Sequence, residues 1–203
     1  LHDALPISRY TINFQSNRDG SSALIFGDPN TLNPLTTEFN WQVGGDVWSF
    51  LSAAADFSSR ITEAGSIQNF YGRLSTSPGS SKSYNLAIGK NGSPTGINFT
   101  ISGTAITGSD TTNSSSIAET NTISVQSTPS GVPNSAYAMY GLEMVSDRHI
   151  AHPILCGSNN LLPSSGIQYN FLSGIGNGWN STEANRTIIG SFSLMEKIFF
   201  RLN

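Results

Sequence analysis

The sequence predicts an all-β protein, built as an antiparallel β-sandwich that recurs in tandem about every 130 residues. Only 11% of the residues are charged, while Ser, Thr, Asn and Gly are abundant, and average globular domains carry about 25% charged residues. Short segments alternate between apolar and polar residues and are separated by turn signals, which is typical of strands. The chain also matches itself when it is shifted by 130 residues. Together these observations favour repeated sandwiches over a helical or disordered chain.

The internal match aligns residues 10–44 with residues 140–174 without a gap. Apolar character is also kept at several pairs, as a shared core requires. We therefore predict the last strand of a preceding copy at 9–18, a complete copy at 19–147 and the truncated first half of the next copy at 148–203. The identical pairs are Tyr10/Tyr140, Ser16/Ser146, Arg18/Arg148, Gly27/Gly157, Asn30/Asn160, Leu32/Leu162, Asn40/Asn170 and Gly44/Gly174.

Residues 1–8, LHDALPIS, look like a translated sequencing adapter, and we leave them out of the fold argument. We expect a reading frame broken at both ends. A missing signal peptide or anchor then carries no information about localisation.

The clearest secondary structure is a predicted hairpin over residues 82–103. Its first arm places Tyr84, Leu86 and Ile88 on one face, and its second arm does the same with Ile97, Phe99 and Ile101. The Asn91-Gly92 step favours a tight turn, although the following Ser93-Pro94-Thr95 suggests a loop longer than two residues.

The other predicted strands are less regular. Earlier strands are expected at 23–26, 39–43 and 67–75, and 48–55 could make one helical turn. Residues 109–120 form a polar segment to which we assign no strand. Two later strands follow, one with Ile123 and Val125 on a shared face and one with Tyr140, Leu142 and Met144 in phase.

These segments carry a family resemblance. The run from 64 to 131 contains an Ala-Gly start to a strand that ends in Arg-Leu-Ser, a Lys-Asn-Gly hairpin, a Ser-Asp-Thr-Thr segment and a strand leading to Thr-Pro-Ser-Gly. It resembles an uncharacterised domain that is often found in tandem in environmental phage and bacterial surface proteins. That family is similar to jelly-roll modules of the tumour-necrosis-factor and complement-C1q type. The resemblance implies a jelly-roll-like sandwich, a homotrimer and no known catalytic residues. One departure is Glu119-Thr120-Asn121, where members carry Gly-Asp before the strand.

Composition and motifs argue against several functions. The net charge of −3 offers no footprint for nucleic acid, and no apolar run is long enough to cross a bilayer. His149 and His152 precede the lone Cys156, but the equivalent residues of the first copy could not form the same metal site. No nucleophile elbow, phosphate loop or carboxylate pair is recognisable. We expect no catalysis, cofactor or metal.

Four residues are candidates for ligand contact: Trp41, Trp48, Arg73 and Asp110. The two tryptophans could stack on sugar rings or fill the core. Arg73 recurs as Arg201 near a strand end, which suits either ligand recognition or a turn contact. Asp110, followed by Thr and Asn, could bind calcium or organise a polar turn.

We expect a non-catalytic structural or adhesive module of a phage tail fibre or other virion or surface appendage, located on a virion or outside the cell. Its partner would be a host-surface glycan or receptor. The alternative is a carbohydrate-binding module of a secreted bacterial enzyme that degrades polysaccharides.

Overall fold

The computed structural model describes residues 19–40 and 59–148. These residues form nine strands and no helix. The bounds are β1 Ser21–Thr31, β2 Glu38–Asn40, β3 Ser59–Arg60, β4 Gly65–Leu74, β5 Gly79–Lys90, β6 Ser93–Gly103, β7 Thr107–Ile117, β8 Thr122–Ser130 and β9 Tyr137–Ser146.

The strands lie in two antiparallel sheets. Sheet A has the order β1-β9-β4-β7, and sheet B has the order β2-β8-β5-β6, with β3 also paired to β8. The first strand therefore pairs with the last, with Leu24 opposite Leu142. The predicted all-β class and sandwich character are confirmed.

One apolar core lies between the sheets, because every second side chain of a strand points to the same face. The faces predicted for β5, β6, β8 and β9 are confirmed, since all the residues named for them are buried in this core. Phe70 of sheet A and Phe99 of sheet B meet across it with ring centroids 4.8 Å apart.

Two glycines make room for the Phe99 ring. Gly72 and Gly108 are cross-strand partners in sheet A. A Cβ atom at Gly72 would lie 2.5 Å from Phe99 Cζ, and one at Gly108 would lie 2.5 Å from Phe99 Cδ2. The two sheets approach this closely only because neither position carries a side chain.

The Asn91-Gly92 turn corrects one expectation. Lys90 pairs directly with Ser93, and Asn91 and Gly92 both have positive φ, 51° and 78°. The loop is thus two residues long, as Asn-Gly favours. The register shifts between Ala87 and Gly89, and this irregularity accommodates the residues that had suggested a longer loop.

The polar segment 109–120 corrects another expectation, because most of it forms β7. Backbone pairing with β4 defines this strand, while its side chains are mostly exposed. The turn after β7 forms despite the departure at Glu119-Thr120-Asn121. Asn121 N–H donates to Ala118 O at 3.0 Å, and Thr120 adopts φ 82°.

The remaining predictions on organisation stay predictions. Segments 1–8 and 9–18, most of 148–203 and the helical turn at 48–55 lie outside the described residues, and so do His149, His152 and Cys156. Strands predicted at 23–26 and 67–75 overlap β1 and β4, and the one predicted at 39–43 overlaps the end of β2.

Candidate contact surface on sheet A

Most large apolar side chains of the described residues are buried, but three exposed ones share the outer face of sheet A. Tyr71 is 53% exposed, Tyr137 is 50% exposed and Met139 is 52% exposed. Exposed apolar residues are ordinary when scattered, whereas a group on one face marks a contact surface.

Strand parity explains why these side chains point outward. In β4, Phe70, Gly72 and Leu74 face the core, so Tyr71 and Arg73 face solvent. In β9, Ala138 and Tyr140 are buried, so Tyr137, Met139 and Gly141 lie on the opposite face. We call Tyr71, Arg73, Tyr137 and Met139 the Tyr71 strip.

The register brings the strip together across two strands, β4 and β9, and β7 lies on the other side of β4. Arg73 lies opposite Met139 of β9 and Thr107 of β7. Tyr71 lies opposite Gly141 on one side and Ser109 on the other. A Cβ atom at Gly141 would have no heavy atom within 4 Å. The cross-strand neighbours of the Tyr71 ring are therefore small, and the space beside it is open.

Arg73 supplies the positive charge of the strip. Within the described residues no hydrogen bond or ion pair involves its guanidinium group. Glu143 is a carboxylate on the same face, four residues from Met139 and thus about 13 Å along the strand. Glu143 accepts hydrogen bonds from Ser21 Oγ at 2.6 Å, from Gln68 Nε2 at 2.9 Å and from Asn69 Nδ2. Among the side chains that the structure describes, none therefore competes with a ligand for Arg73.

Asp110 lies apart from the strip, on the opposite side of β7, and is only 6% exposed. Its Oδ1 accepts from Thr112 N, Thr112 Oγ1 and Asn113 N at 3.1–3.2 Å. Its Oδ2 accepts from Asn113 Nδ2 at 2.9 Å and from Asn98 N at 3.0 Å. Asn98 belongs to β6, so Asp110 joins the edge strands of the two sheets.

These contacts set the protonation of Asp110. Burial alone would raise the pKa of its carboxyl, but the hydrogen bonds from Asn113, Asn98 and Thr112 hold the pKa well below its usual range. Both oxygens are occupied by donors, which favours the polar-turn interpretation over the calcium interpretation. The described part of the chain has no group of three or more His, Cys, Asp or Glu side chains placed to hold a metal ion.

A shallow, open depression of ≈ 500 Å³ lies beside Asp110, lined by residues 98–100 and 108–113. The Asp110 carboxylate is engaged by five donors, and the depression is otherwise lined by Phe99, Gly108 and several Asn, Ser and Thr residues.

Two of the four candidate residues lie in the part of the chain that the structure describes. Arg73 belongs to the Tyr71 strip, Asp110 does not, and Trp41 and Trp48 lie outside the described residues. Tyr71, Tyr137 and Met139 were not among the contact residues predicted from the sequence. Parity could have found two of them, because placing Tyr140 and Leu142 in the core puts Tyr137 and Met139 on the outer face.

Arg148, which the sequence match aligns with Arg18, makes a turn contact. Its Nη1 lies 3.7 Å from Glu63 Oε2. This ion pair ties the residue after β9 to the segment before β4.

In comparisons with known proteins, no family model and no curated protein matches this chain. Among the described residues there is also no helix with the length and apolar character of a membrane span.

Proposed function

We propose that this chain is a non-catalytic adhesive module of a phage tail fibre or other virion or surface appendage, built on a jelly-roll-type sandwich. The strand order supports the jelly roll. Strands adjacent in sequence, such as β4 and β5 or β7 and β8, belong to different sheets, while β1 pairs with β9 and β5 with β8. Crossing between two sheets in this way is characteristic of double Greek-key sandwiches.

The Tyr71 strip is the observation that carries the adhesive role. A sandwich with only a scaffolding role would be expected to cover its outer face with small polar residues, as β7 does here. Sheet A instead presents two tyrosines, a methionine and an arginine side by side. Aromatic and Arg side chains are those that dominate binding energy at contact surfaces.

The position of the strip also suits display. Ser146 N–H donates to Gly20 O at 2.9 Å, so β1 begins where β9 ends. We call this the junction end. Tyr137 begins β9 and Arg73 lies near the end of β4, so the strip lies toward the opposite end, the far end. In a tandem array each copy would then present its strip away from the connections, and weak contacts would add through high effective concentration.

Cell adsorption tests the proposal. The fluorescently labelled chain is mixed with a panel of bacterial cells, and the bound fraction is measured for the wild type and for a Tyr71→Ser, Met139→Ser variant. We expect binding to at least one strain and its loss in the variant. The matched control is Leu35→Ser, which removes a side chain that is 71% exposed outside the strip. Equal binding by all three proteins, or binding by none, would count against adhesion through the strip.

Sequencing the gene with its neighbours tests the setting. Neighbouring capsid, tail or terminase genes would support a virion appendage. A catalytic domain in the same frame would support the alternative, a carbohydrate-binding module of a secreted enzyme.

The exposure of Tyr71 supports the alternative of a carbohydrate-binding module. Tyr71 is half exposed between Gly141 and Ser109, and an uncovered aromatic ring with polar neighbours can stack on the apolar face of a sugar. Glycan-array binding that is lost on Tyr71→Ala would locate a sugar platform on the strip, and loss on Trp48→Ala would locate it at Trp48.

A further inference from the structure

We infer that the Tyr71 strip binds a carboxylated polysaccharide, with Tyr71 and Tyr137 contacting sugar rings and Arg73 pairing with a carboxylate. This inference rests on the proposed function, because it names the class of ligand that the adhesive surface takes.

The positive charge of the strip favours a ligand that carries a carboxylate. Among the side chains that the structure describes, none is a polar partner of Arg73, and the Glu143 carboxylate on the same face lies about 13 Å along the strand and is already engaged by three donors. A guanidinium group binds a carboxylate with two parallel hydrogen bonds. A neutral glycan would offer no negative charge to pair with the Arg73 guanidinium group.

The neighbours of the strip favour a sugar over a protein. The residues in register with Tyr71 and Arg73 on β7 are Ser109 and Thr107, which are both exposed and carry hydroxyl groups. A stable protein interface takes about 20 residues a side around an apolar centre, and the strip has only three large apolar side chains. Small hydroxyl neighbours beside an aromatic ring instead suit the hydroxyl groups of a sugar.

The spacing of the two tyrosines favours a polymer over a single sugar. Tyr71 is level with Gly141, four residues along β9 from Tyr137, so the rings are about 13 Å apart along the strands. Arg73 and Met139 lie between them. A linear polysaccharide can reach both rings with a carboxylate near the middle.

Affinity electrophoresis of the chain tests this inference. The gels contain polygalacturonate, alginate, hyaluronate or polysialic acid, each beside its carboxyl-reduced, neutral counterpart. We expect at least one acidic polymer to retard the wild type and its neutral counterpart not to. Arg73→Gln should weaken the binding at least about tenfold, as loss of a charge-assisted contact predicts.

Lys82→Gln is the matched control, because it makes the same change in net charge on β5 of sheet B. It should leave retardation unchanged, and Tyr71→Ser should weaken it. Equal effects of Arg73→Gln and Lys82→Gln would show only general charge attraction and would overturn the inference.

Other outcomes separate this inference from the proposed function. If no acidic polymer retards the chain while cell adsorption still depends on Tyr71, the adhesive role is supported and the assignment of a carboxylated polysaccharide as the ligand is wrong. If neither assay depends on Tyr71, both fail. Sedimentation that shows an oligomer dispersed by Tyr71→Ser, Met139→Ser would mean that copies of the chain cover the strip, and this too would overturn the inference.

Discussion

At the scale of single residues, Asp110 is the most consequential side chain outside the core. It is an ionised carboxylate, nearly buried, and it connects β7 with the β6 edge through Asn98 N–H. Edge strands expose unpaired backbone groups that can pair with other chains. Asp110 satisfies one of these groups, and its bonds to Thr112 and Asn113 lie where the register between β4 and β7 shifts.

We expect Asp110→Asn to lower the free energy of unfolding by about 2–3 kcal/mol at pH 7, because a neutral amide replaces an acceptor of charge-assisted hydrogen bonds. The pKa of Asp110 is lowered in the folded state. Its contribution is therefore complete well above the unfolded pKa near 3.9 and is lost as the pH falls from about 5. Urea unfolding between pH 7 and pH 2 measures both effects.

Asp19→Asn is the control for Asp110→Asn, because Asp19 is exposed and undergoes the same change in charge. The control should follow the wild-type pH profile. An Asp110→Asn profile parallel to that of the wild type would contradict the role assigned to this carboxylate.

Thr120 adopts a backbone conformation that is unfavourable for threonine. Its φ of 82° falls in the region that favours glycine, and β-branched residues rarely adopt it. We expect Thr120→Gly to raise the free energy of unfolding by about 1 kcal/mol, measured by urea unfolding at pH 7. Thr111→Gly is the control, since it places glycine in β7 without relieving a positive φ, and it should lower stability. A loss of stability in Thr120→Gly would contradict the inference that the Thr120 backbone is strained.

The sequence predicted some residue-scale features better than others. Asn91-Gly92 carries its turn signal in the residue types themselves, and the structure has that turn. Nothing in Thr120 signals a positive φ, because the surrounding hydrogen bonds impose it. Thr120 N–H donates to Ile61 O, and Asn121 N–H donates to Ala118 O.

At the scale of elements, the fit of Phe99 against Gly72 and Gly108 sets how closely the sheets pack. We expect Gly72→Ala to lower the free energy of unfolding by about 1–3 kcal/mol, because the new methyl group would displace a buried ring. Phe99→Leu in the Gly72→Ala background should recover part of the loss. Thermal and urea unfolding measure both.

Gly141→Ala is the matched control for Gly72→Ala. It adds the same methyl group to a strand of the same sheet where nothing lies within 4 Å, so stability should be unchanged or slightly higher. Equal losses at Gly72 and Gly141 would point to backbone conformation rather than to crowding against Phe99.

Elements were predictable where side chains carry the pattern. In β5 and β6 every second residue is apolar, and the predicted faces match the core. In β7 only Ile117 contributes a large apolar side chain to the core. β7 is a strand because its backbone pairs with β4. A run of Ser, Thr and Asn shows no alternation of apolar and polar residues from which this pairing could be predicted. The Tyr71 strip was missed for a related reason, since it depends on which strands are neighbours.

At the scale of the whole molecule, closure of β1 on β9 limits how the predicted tandem copies could be joined. The beginning and end of the described sandwich meet at the junction end, where Ser146 N–H donates to Gly20 O. The Glu63–Arg148 ion pair lies at the same end. Successive copies joined at the junction end would lie side by side and not end to end. The Tyr71 strip would then lie away from the connections, at the far end.

The same closure predicts that residues 19–148 fold on their own. Leu24 of β1 and Leu142 and Met144 of β9 belong to the one core that both sheets share, so the unit buries its apolar faces without a neighbouring copy. We expect the excised 19–148 fragment to be monomeric in sedimentation and to unfold in a single transition by heat and by urea. The control is 59–148, which lacks β1 and β2 and leaves β9 as an edge strand whose outer side has no partner. It should aggregate or unfold without cooperativity. A fragment 19–148 that behaves like this control would show that a neighbouring copy completes the sandwich, and the boundaries at 19 and 147 would then be wrong.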